Sequence, residues 1–239
     1  MFIAYSASAT DARYCLGLLT ADADADLMSA DAWSKSRVPV FVSSEETGVY
    51  GPGHNSFTID EQGRDVLVFH GRDYKTIKGD PLFDPNRHTR AQRLYYRPDG
   101  TPDFGVPVGA GEIPDRFAPL DRPGAYLRLD GTRLAVGDGA LATTQFRQKA
   151  GPAGAVVLEP ILKPGQVLRV EAGGGVVLAP ATENPARSGF RRVRGLAGRG
   201  VSFAALAPGG GYLRHRDGSV VVGPVKDAGD RAGATFIVS

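Results

Sequence analysis

A single histidine lies in an unusually glycine-rich stretch, "GVYGPGHNSF" at residues 48–57. A neutral imidazole can ligate a metal through one ring nitrogen, or it can pack as a hydrogen-bonded core side chain. Gly48, Gly51 and Gly53 remove side-chain bulk just before His54, although an ordinary loop needs only one glycine. The spacing therefore predicts that another group approaches this backbone closely, and it leaves both roles of the imidazole open.

Carboxylates are the other residues with the chemistry for acid and base catalysis. The candidates are Glu45, Glu46, Asp80, Asp84 and the acidic run Asp22, Asp24 and Asp26. Asp-Pro pairs are typical of turns, and spaced aspartates in a loop usually form a solvated face. Ser56 lacks the sequence context of a nucleophile elbow. Cys15 is a candidate nucleophile by residue type alone. These contexts predict structural roles for all of them.

The composition is that of an ordinary globular protein. Of 239 residues, 42% are hydrophobic and 23% are charged. A net charge of +2 is too small to indicate a nucleic-acid or membrane partner, and no apolar run approaches the length of a membrane span. The 32 glycines and 17 prolines indicate many turns and short strands. The single cysteine excludes an intrachain disulfide.

Residues 1–107 have the pattern of short strands separated by turns. The predicted strands are 2–6, 14–20, 38–42, 56–60, 66–70 and 91–96. Turn signals are "DEQG" (60–63), "GDPLFDPN" (79–86) and "RPDGTPDFG" (97–105). The acidic segment 20–35 is predicted to be either one short helix or a surface loop.

The N-terminal segment "MFIAYSAS" has neither the charged region nor the cleavage site of a signal peptide. Residues 2–5 have the pattern of a buried strand, and a domain rarely begins on a core strand. We therefore expect further sequence upstream of Met1. We also expect residues 2–5 to form an exposed apolar strand edge, which is a site of aggregation.

An internal repeat begins near residue 115. The segments "GAYLRLDG" (124–131), "GQVLRVEAGG" (165–174) and "GGYLRHRDG" (210–218) share a glycine, two further residues and Leu-Arg. The shared leucines are Leu127, Leu168 and Leu213, and each unit closes on a phenylalanine, at Phe146, Phe190 and Phe236. Three units of about 40 residues favour a β-trefoil, since one unit cannot bury its own apolar face. A propeller and an ankyrin-like array are the alternatives at this period.

Both halves of the chain resemble known families. Residues 1–107 resemble the C-terminal part of a glycoside hydrolase family 43 catalytic domain, through residues 5–36, "GVYGPGHNSFT" (48–58) and residues 79–107. Residues 115–239 resemble the arabinofuranose-binding trefoil of carbohydrate-binding module family 42, through "VSFAALAPGGGYLRHRDGSVVVG" (201–223) and "AGATF" (232–236). The resemblance implies an all-β chain in which about two blades of a partial five-bladed β-propeller (1–110) precede a β-trefoil (115–239).

The family 43 resemblance implies roles for two residues. It places His54 on the propeller axis below the sugar pocket, in contact with a water or a metal ion such as calcium. Because calcium prefers oxygen ligands, one histidine cannot hold it without waters or carbonyls. The resemblance places Arg87 in the sugar pocket as a hydrogen-bond donor, and the alternative is an exposed arginine in an arginine-rich segment. His70 and His88 are predicted to be structural.

Family 43 enzymes invert configuration with a carboxylate base, a carboxylic acid and a third carboxylate that orients the acid. Inversion requires the two main groups to lie about 6.5–9.5 Å apart, with the pKa of the acid raised. The resemblance implies that all three residues precede Met1. We therefore predict no catalytic residue within this chain, and we expect the chain alone to be inactive.

The repeats depart from the module family at its sugar contacts. That family uses a histidine after Leu-Arg and an aspartate before the closing Ala-Thr-Phe. At the histidine position the three repeats have Leu129, Val170 and His215, and at the aspartate position they have Thr143, Arg187 and Gly233. Only the third repeat is predicted to retain a weak sugar site, with Tyr212 and His215 as its contacts and Asp230 nearby.

Two functions remain open from the sequence. In the first, the chain is the C-terminal portion of an arabinofuranosidase-like glycosidase that hydrolyses O-glycosyl bonds in arabinose-containing plant polysaccharide. In the second, it is a non-catalytic carbohydrate-binding or structural remnant. The hydrolase is predicted to require no cofactor, and a structural calcium ion is a candidate ligand of the full-length propeller. Its expected partners are arabinose-containing polysaccharides or oligosaccharides, and the full-length form is expected to be secreted.

Overall fold

The computed structural model describes all 239 residues, which form twenty β-strands, one short α-helix and five 3-10 turns. The chain divides into two compact units, Met1–Ile113 and Pro114–Ser239. No helix has the length and apolar character that crossing a membrane requires. The predicted all-β class is therefore confirmed.

The first unit consists of short antiparallel sheets. Its strands are β1 (Phe2–Ala7), β2 (Cys15–Thr20), β3 (Ser34–Lys35), β4 (Tyr50–Ile59), β5 (Asp65–Arg72), β6 (His88–Arg93), β7 (Tyr95–Tyr96) and β8 (Pro102–Asp103). Strands β1 to β3 form one sheet in sequence order, β4 to β6 form a second, and β7 pairs with β8. Its 3-10 turns are Ala30–Ala32 and Pro81–Phe83. Each sheet thus pairs strands that are consecutive in the sequence.

Of the two predictions for segment 20–35, the surface loop agrees with the structure, which has a 3-10 turn and β3 there but no α-helix. Two other predicted elements of this unit differ from the structure. Residues 38–42 are not a strand, because Pro39 has no N–H to donate and only Phe41 forms an isolated bridge, to Leu16. The glycine-rich stretch does not precede a strand but lies inside β4, where the pairing with β5 shifts register twice. Those two β-bulges bend β4 around His54.

The core of the first unit lies under both sheets. It includes Leu16, Phe41, Leu67 and Phe69, and the rings of Phe41 and Phe69 meet edge to face with centroids 4.9 Å apart. Strand β1 has β2 on one side only, and Phe2 remains 42% exposed. The expected exposed apolar strand edge is therefore present at β1.

The second unit contains twelve strands in three sets of four. They are β9 (Asp115–Pro119), β10 (Tyr126–Asp130), β11 (Arg133–Gly137), β12 (Gln145–Ala150), β13 (Val156–Pro160), β14 (Gln166–Val170), β15 (Val176–Pro180), β16 (Phe190–Arg194), β17 (Val201–Ala205), β18 (Tyr212–Arg216), β19 (Ser219–Gly223) and β20 (Phe236–Val238). The helix α1 is Ala228–Gly233, and the 3-10 turns are Leu141–Thr144, Pro152–Gly154 and Pro185–Arg187. The second and third strands of each set pair as a hairpin.

The repeated apolar positions meet in one core. The shared leucines and closing phenylalanines of all three repeats are at most 1% exposed and belong to a single cluster, which contains Leu127, Leu168, Leu213, Phe146, Phe190 and Phe236. Each leucine occupies the same place in its hairpin, paired with Val136, Leu178 and Val222 in turn. The sequence repeat is therefore a structural repeat, with each unit supplying two side chains to the common core.

Candidate functional site

Three aromatic rings stack beside the glycine-rich part of β4. The ring of His70, on β5, lies between Tyr14 and His54, with centroid distances of 5.5 Å and 5.7 Å. The interplanar angles are 17° and 25°, so the three rings form one column. His54 has a φ of 52°, is solvent-exposed and donates its backbone N–H to the Ser6 hydroxyl at 2.7 Å. The bulged strand thus presents one imidazole to solvent and holds the other beneath it.

Two glycines of this stretch make room for neighbouring groups. A Cβ on Gly53 would overlap the ring of Tyr14, which is the base of the column. A Cβ on Gly51 would lie 2.6 Å from the carbonyl oxygen of Asp11, and its φ of 60° also favours glycine. The close approach predicted from the spacing is therefore made by protein groups, an aromatic ring and a backbone carbonyl.

His70 is held in its neutral form. The pKa of His70 is lowered from 6.5 to about 4. Burial is the largest cause, and the positive charges of Arg87, His54 and Arg72 contribute to the same shift. Its Nε2 atom is buried without a hydrogen-bond partner. Protonation would thus place an unpaired charge inside the column.

We expect this histidine to make the first unit acid-sensitive. Because the folded pKa is depressed, the unfolded chain takes up a proton between about pH 6.5 and pH 4 that the folded chain does not. Stability should therefore fall as the pH drops through that window. In His70→Phe, which keeps a stacked ring, the urea midpoint reported by the single Trp33 should change less between pH 7 and pH 5 than in the wild type. The control is His88→Phe at an exposed position, and equal acid losses in wild type and His70→Phe would refute the role of His70.

Of the three arginines Arg87, Arg90 and Arg93, Arg87 is the one that has no carboxylate partner. Arg90 pairs with Asp73 at 2.7 Å and Arg93 pairs with Asp60 at 2.6 Å, and both arginines are buried. Arg87 lies half-buried just before β6 and donates to the carbonyl of Leu82 at 3.2 Å. The positive charge of Arg87 is one of the causes that lower the pKa of His70. The remaining N–H groups of Arg87 are available to a ligand.

A buried ion pair fixes the loop that precedes Arg87. The guanidinium of Arg72 is 1% exposed and donates to Asp84 at 3.1 Å and to the carbonyls of Thr10 and Pro81 at 2.9 Å and 3.1 Å. Asp84 also accepts from the Tyr74 hydroxyl at 2.7 Å, and this bond is the largest cause that lowers its pKa. Arg72 was not identified from the sequence, since it ends an apolar strand, whereas Asp84 was predicted to have a structural role from its Asp-Pro turn.

The residues around His54 do not by themselves fit a calcium site. Its neighbours in the column are another imidazole and a phenol ring, and the positive charge of Arg87 is close. Calcium takes six to eight oxygen ligands. The chain contains no cluster of three or more His, Cys, Asp or Glu side chains arranged to hold a metal ion. The axial role of His54 stays a prediction.

The carboxylates of the first unit have structural partners. Glu45 accepts from Lys75 and from the Tyr50 hydroxyl, each at 2.7 Å, and Asp80 accepts the N–H of Leu82 at 2.9 Å at the start of a 3-10 turn. In both units, every carboxyl group whose pKa departs clearly from its usual value has that pKa lowered, namely Asp11, Glu45, Asp60, Asp84, Asp99 and Asp230. A general acid needs the opposite shift.

A polar cavity in the second unit contains the predicted histidine. The cavity measures about 470 Å³ and its lining includes Asp121, Arg214, His215, Asp230 and Gly233. The side chain of His215 is only 10% exposed, and its Nε2 lies 3.0 Å from both carboxylate oxygens of Asp121. Asp121 follows β9, and 94 residues separate it from His215. The sequence offered no signal for this pairing.

The two other predicted residues of this site are placed differently. Asp230 lines the cavity, but it pairs with Arg214 and accepts the N–H of Lys226 at 2.9 Å, which is the largest cause that lowers its pKa. Tyr212 lies three residues before His215 on β18, so strand alternation puts their side chains on opposite faces. Tyr212 is not among the residues that line the cavity. The structure thus brings together His215 and Asp230, but not Tyr212.

The equivalent histidine positions in the other two repeats are apolar core. Leu129 is 5% exposed and Val170 is 4% exposed. Such side chains offer no hydrogen bond to a ligand. This agrees with the expectation that polar recognition, where it exists, is confined to the third repeat.

Comparison with known proteins connects these features to one family. Residues 1–102 match the family described as Glycosyl hydrolases family 43. The chain is 46% identical over 234 residues to "Alpha-L-arabinofuranosidase 43" of Humicola insolens, and the match covers 90% of this chain and 48% of that protein. It is 54% identical over 157 residues to an "Extracellular exo-alpha-(1->5)-L-arabinofuranosidase" of Streptomyces avermitilis, covering 64% of this chain and 33% of the relative. The predicted family 43 resemblance is confirmed for the first unit.

A solved structure shares this sequence similarity. The alpha-L-arabinofuranosidase from Lactobacillus brevis is 54% identical, with a TM-score of 0.45, over 46% of this chain and 34% of that chain. The chain spans about half the length of the Humicola relative and a third of the Streptomyces relative. Because the Humicola match covers 90% of this chain, it includes residues of both units.

Proposed function

We propose that this chain is part of an arabinofuranosidase-like hydrolase of family 43, which cleaves O-glycosyl bonds in arabinose-containing plant polysaccharides outside the cell. The observation that carries the proposal is the 46% identity to an arabinofuranosidase over 234 residues, since this match extends over both units. The word "extracellular" in the name of the Streptomyces relative supports secretion of the complete protein. The chain binds the sugar, and the acid and base come from parts of the enzyme outside these 239 residues.

In the first unit, we propose that the two three-stranded sheets are blades of the catalytic propeller. The antiparallel meanders β1–β3 and β4–β6 support this, because successive strands of a propeller blade pair in sequence order. Arg87 then donates hydrogen bonds to the bound sugar. His54 lies on the axis, where it binds a water molecule or a metal ion such as calcium whose oxygen ligands are waters or carbonyls.

In the second unit, we propose a trefoil that binds arabinofuranose through its third repeat. The twelve strands in three equivalent sets, with one shared core, support the trefoil. The cavity at His215 supports the binding site, because its polar side chains match the hydroxyl groups of a sugar and its volume suits a small ligand. Tyr212 would contact a sugar only from the opposite face of β18.

A chimera tests the hydrolase proposal. In it, the aligned part of the Humicola insolens enzyme is replaced by this chain, and arabinose release from arabinan is measured. We expect activity, and we expect Arg87→Ala to lower kcat/KM by about tenfold to a hundredfold, because hydrogen bonds from a charged donor to the sugar are lost. The matched control is Arg97→Ala at an exposed position, which should leave kcat/KM unchanged. A folded but inactive chimera would favour the non-catalytic remnant instead.

A further inference from the structure

The third repeat lacks the carboxylate that the module family uses, but the structure provides another one at nearly the same place. A Cβ built on Gly233 would lie 3.4 Å from Oδ2 of Asp121 and 3.4 Å from Nε2 of His215. A side chain at position 233 would therefore point into the space that the carboxylate of Asp121 already borders. Asp121 belongs to the first repeat and His215 to the third, so the cavity is shared between two repeats.

Asp121 is free to accept hydrogen bonds from a ligand. Its hydrogen-bonded side-chain partner is His215, and no lysine or arginine pairs with it. About a third of the Asp121 side chain remains exposed to the cavity mouth. Two further aspartates line the cavity: Asp230 is occupied by Arg214 and by the N–H of Lys226, and Asp217 is exposed in the turn between β18 and β19. Asp121 is thus a carboxylate that both contacts the buried His215 and keeps unused acceptor capacity.

The pair suits a sugar hydroxyl. A sugar hydroxyl can donate to a carboxylate, and Asp121 keeps lone pairs that can accept such a bond beside the one it shares with His215 Nε2. Burial of the histidine, which is 10% exposed, fixes the direction of its ring. We infer that Asp121 is a sugar-binding residue of the third-repeat site, and that it takes the place of the aspartate missing at position 233. This inference rests on the proposed sugar binding by the second unit.

The test is a set of affinities for α-1,5-linked arabinotriose, measured by isothermal titration on the full 239-residue chain. Asp121→Ala should weaken binding by about tenfold or more, because a charged acceptor is lost from the site. The control Asp138→Ala removes an equal charge at an exposed position of the same unit, and its affinity should equal that of the wild type. Gly233→Asp alone should also weaken binding, since two carboxylates would then lie in contact.

The double variant Asp121→Ala with Gly233→Asp separates recognition from folding. A Cβ at position 233 makes only ordinary van der Waals contacts with Asp121 and His215, and binding by the double variant should recover to within a few-fold of the wild type. A merely structural role for Asp121 would not be rescued in this way. Wild-type affinity in Asp121→Ala, or no recovery in a folded double variant, would overturn the assignment of Asp121 alone. No binding by the wild type would overturn the proposed sugar binding as well.

Discussion

The purified 239-residue chain should release no nitrophenol from 4-nitrophenyl α-L-arabinofuranoside above the buffer rate. Inverting hydrolysis needs a carboxylic acid and a carboxylate about 6.5–9.5 Å apart, and the acid must stay protonated near neutral pH. Every carboxyl group of the chain whose pKa departs clearly from its usual value has that pKa lowered, which favours the ionised form. In Asp11, for example, a hydrogen bond from the Arg13 side chain is the largest cause that lowers the pKa to about 2.

The expected size of this effect follows from the missing groups. Loss of one general acid or base commonly costs about 10²–10⁴-fold in rate, and here the resemblance places acid, base and orienting carboxylate outside the chain. The Humicola insolens enzyme, assayed alongside, is the positive control. Turnover by the short chain that disappears in Glu45→Gln or Asp80→Asn would show that the active site had been assigned to the wrong residues.

Replacing Arg72 should cause the largest loss of stability in the first unit. Arg72→Met keeps much of the side-chain volume but leaves Asp84 buried without its cation and two carbonyls without their donor. Breaking a buried ion pair at one partner typically costs about 3–5 kcal/mol. We expect a correspondingly lower urea midpoint in Trp33 fluorescence, which reports on this unit.

An exposed ion pair gives the matched comparison. Lys75 and Glu45 are 64% and 65% exposed, and exposed pairs contribute little to stability. Lys75→Met should therefore leave the urea midpoint close to that of the wild type. If Arg72→Met and Lys75→Met shift the midpoint equally, then the buried network does not hold the loop before Arg87 as described.

The sequence predicted local and periodic features of the fold well. Strands such as β1 and β5 were recognisable because apolar residues cluster between clear turn signals. The repeated leucines and phenylalanines were recognised as core positions because they recur at a nearly constant spacing. The predicted strand 38–42 was wrong. Its apolar residues suggested strand pairing, but Pro39 has no backbone N–H to donate to a neighbouring strand.

The features that the sequence did not predict depend on long-range contacts. Asp121 and His215 are 94 residues apart, and nothing in the local sequence of either one indicates the other. The requirement for glycine at position 53 is explained by the ring of Tyr14, which is distant in sequence and packs against β4. Likewise, the availability of Arg87 became apparent only when Arg90 and Arg93 proved to have carboxylate partners.

We propose that this chain recognises arabinofuranosides but does not hydrolyse them alone. The most direct measurement is saturation-transfer difference NMR on arabinotriose mixed with the 239-residue chain, with free arabinose followed in the same spectra. We expect saturation transfer to the trisaccharide, which stays intact throughout the experiment. Free arabinose that accumulates above the buffer rate, or no saturation transfer from a folded chain, would contradict it.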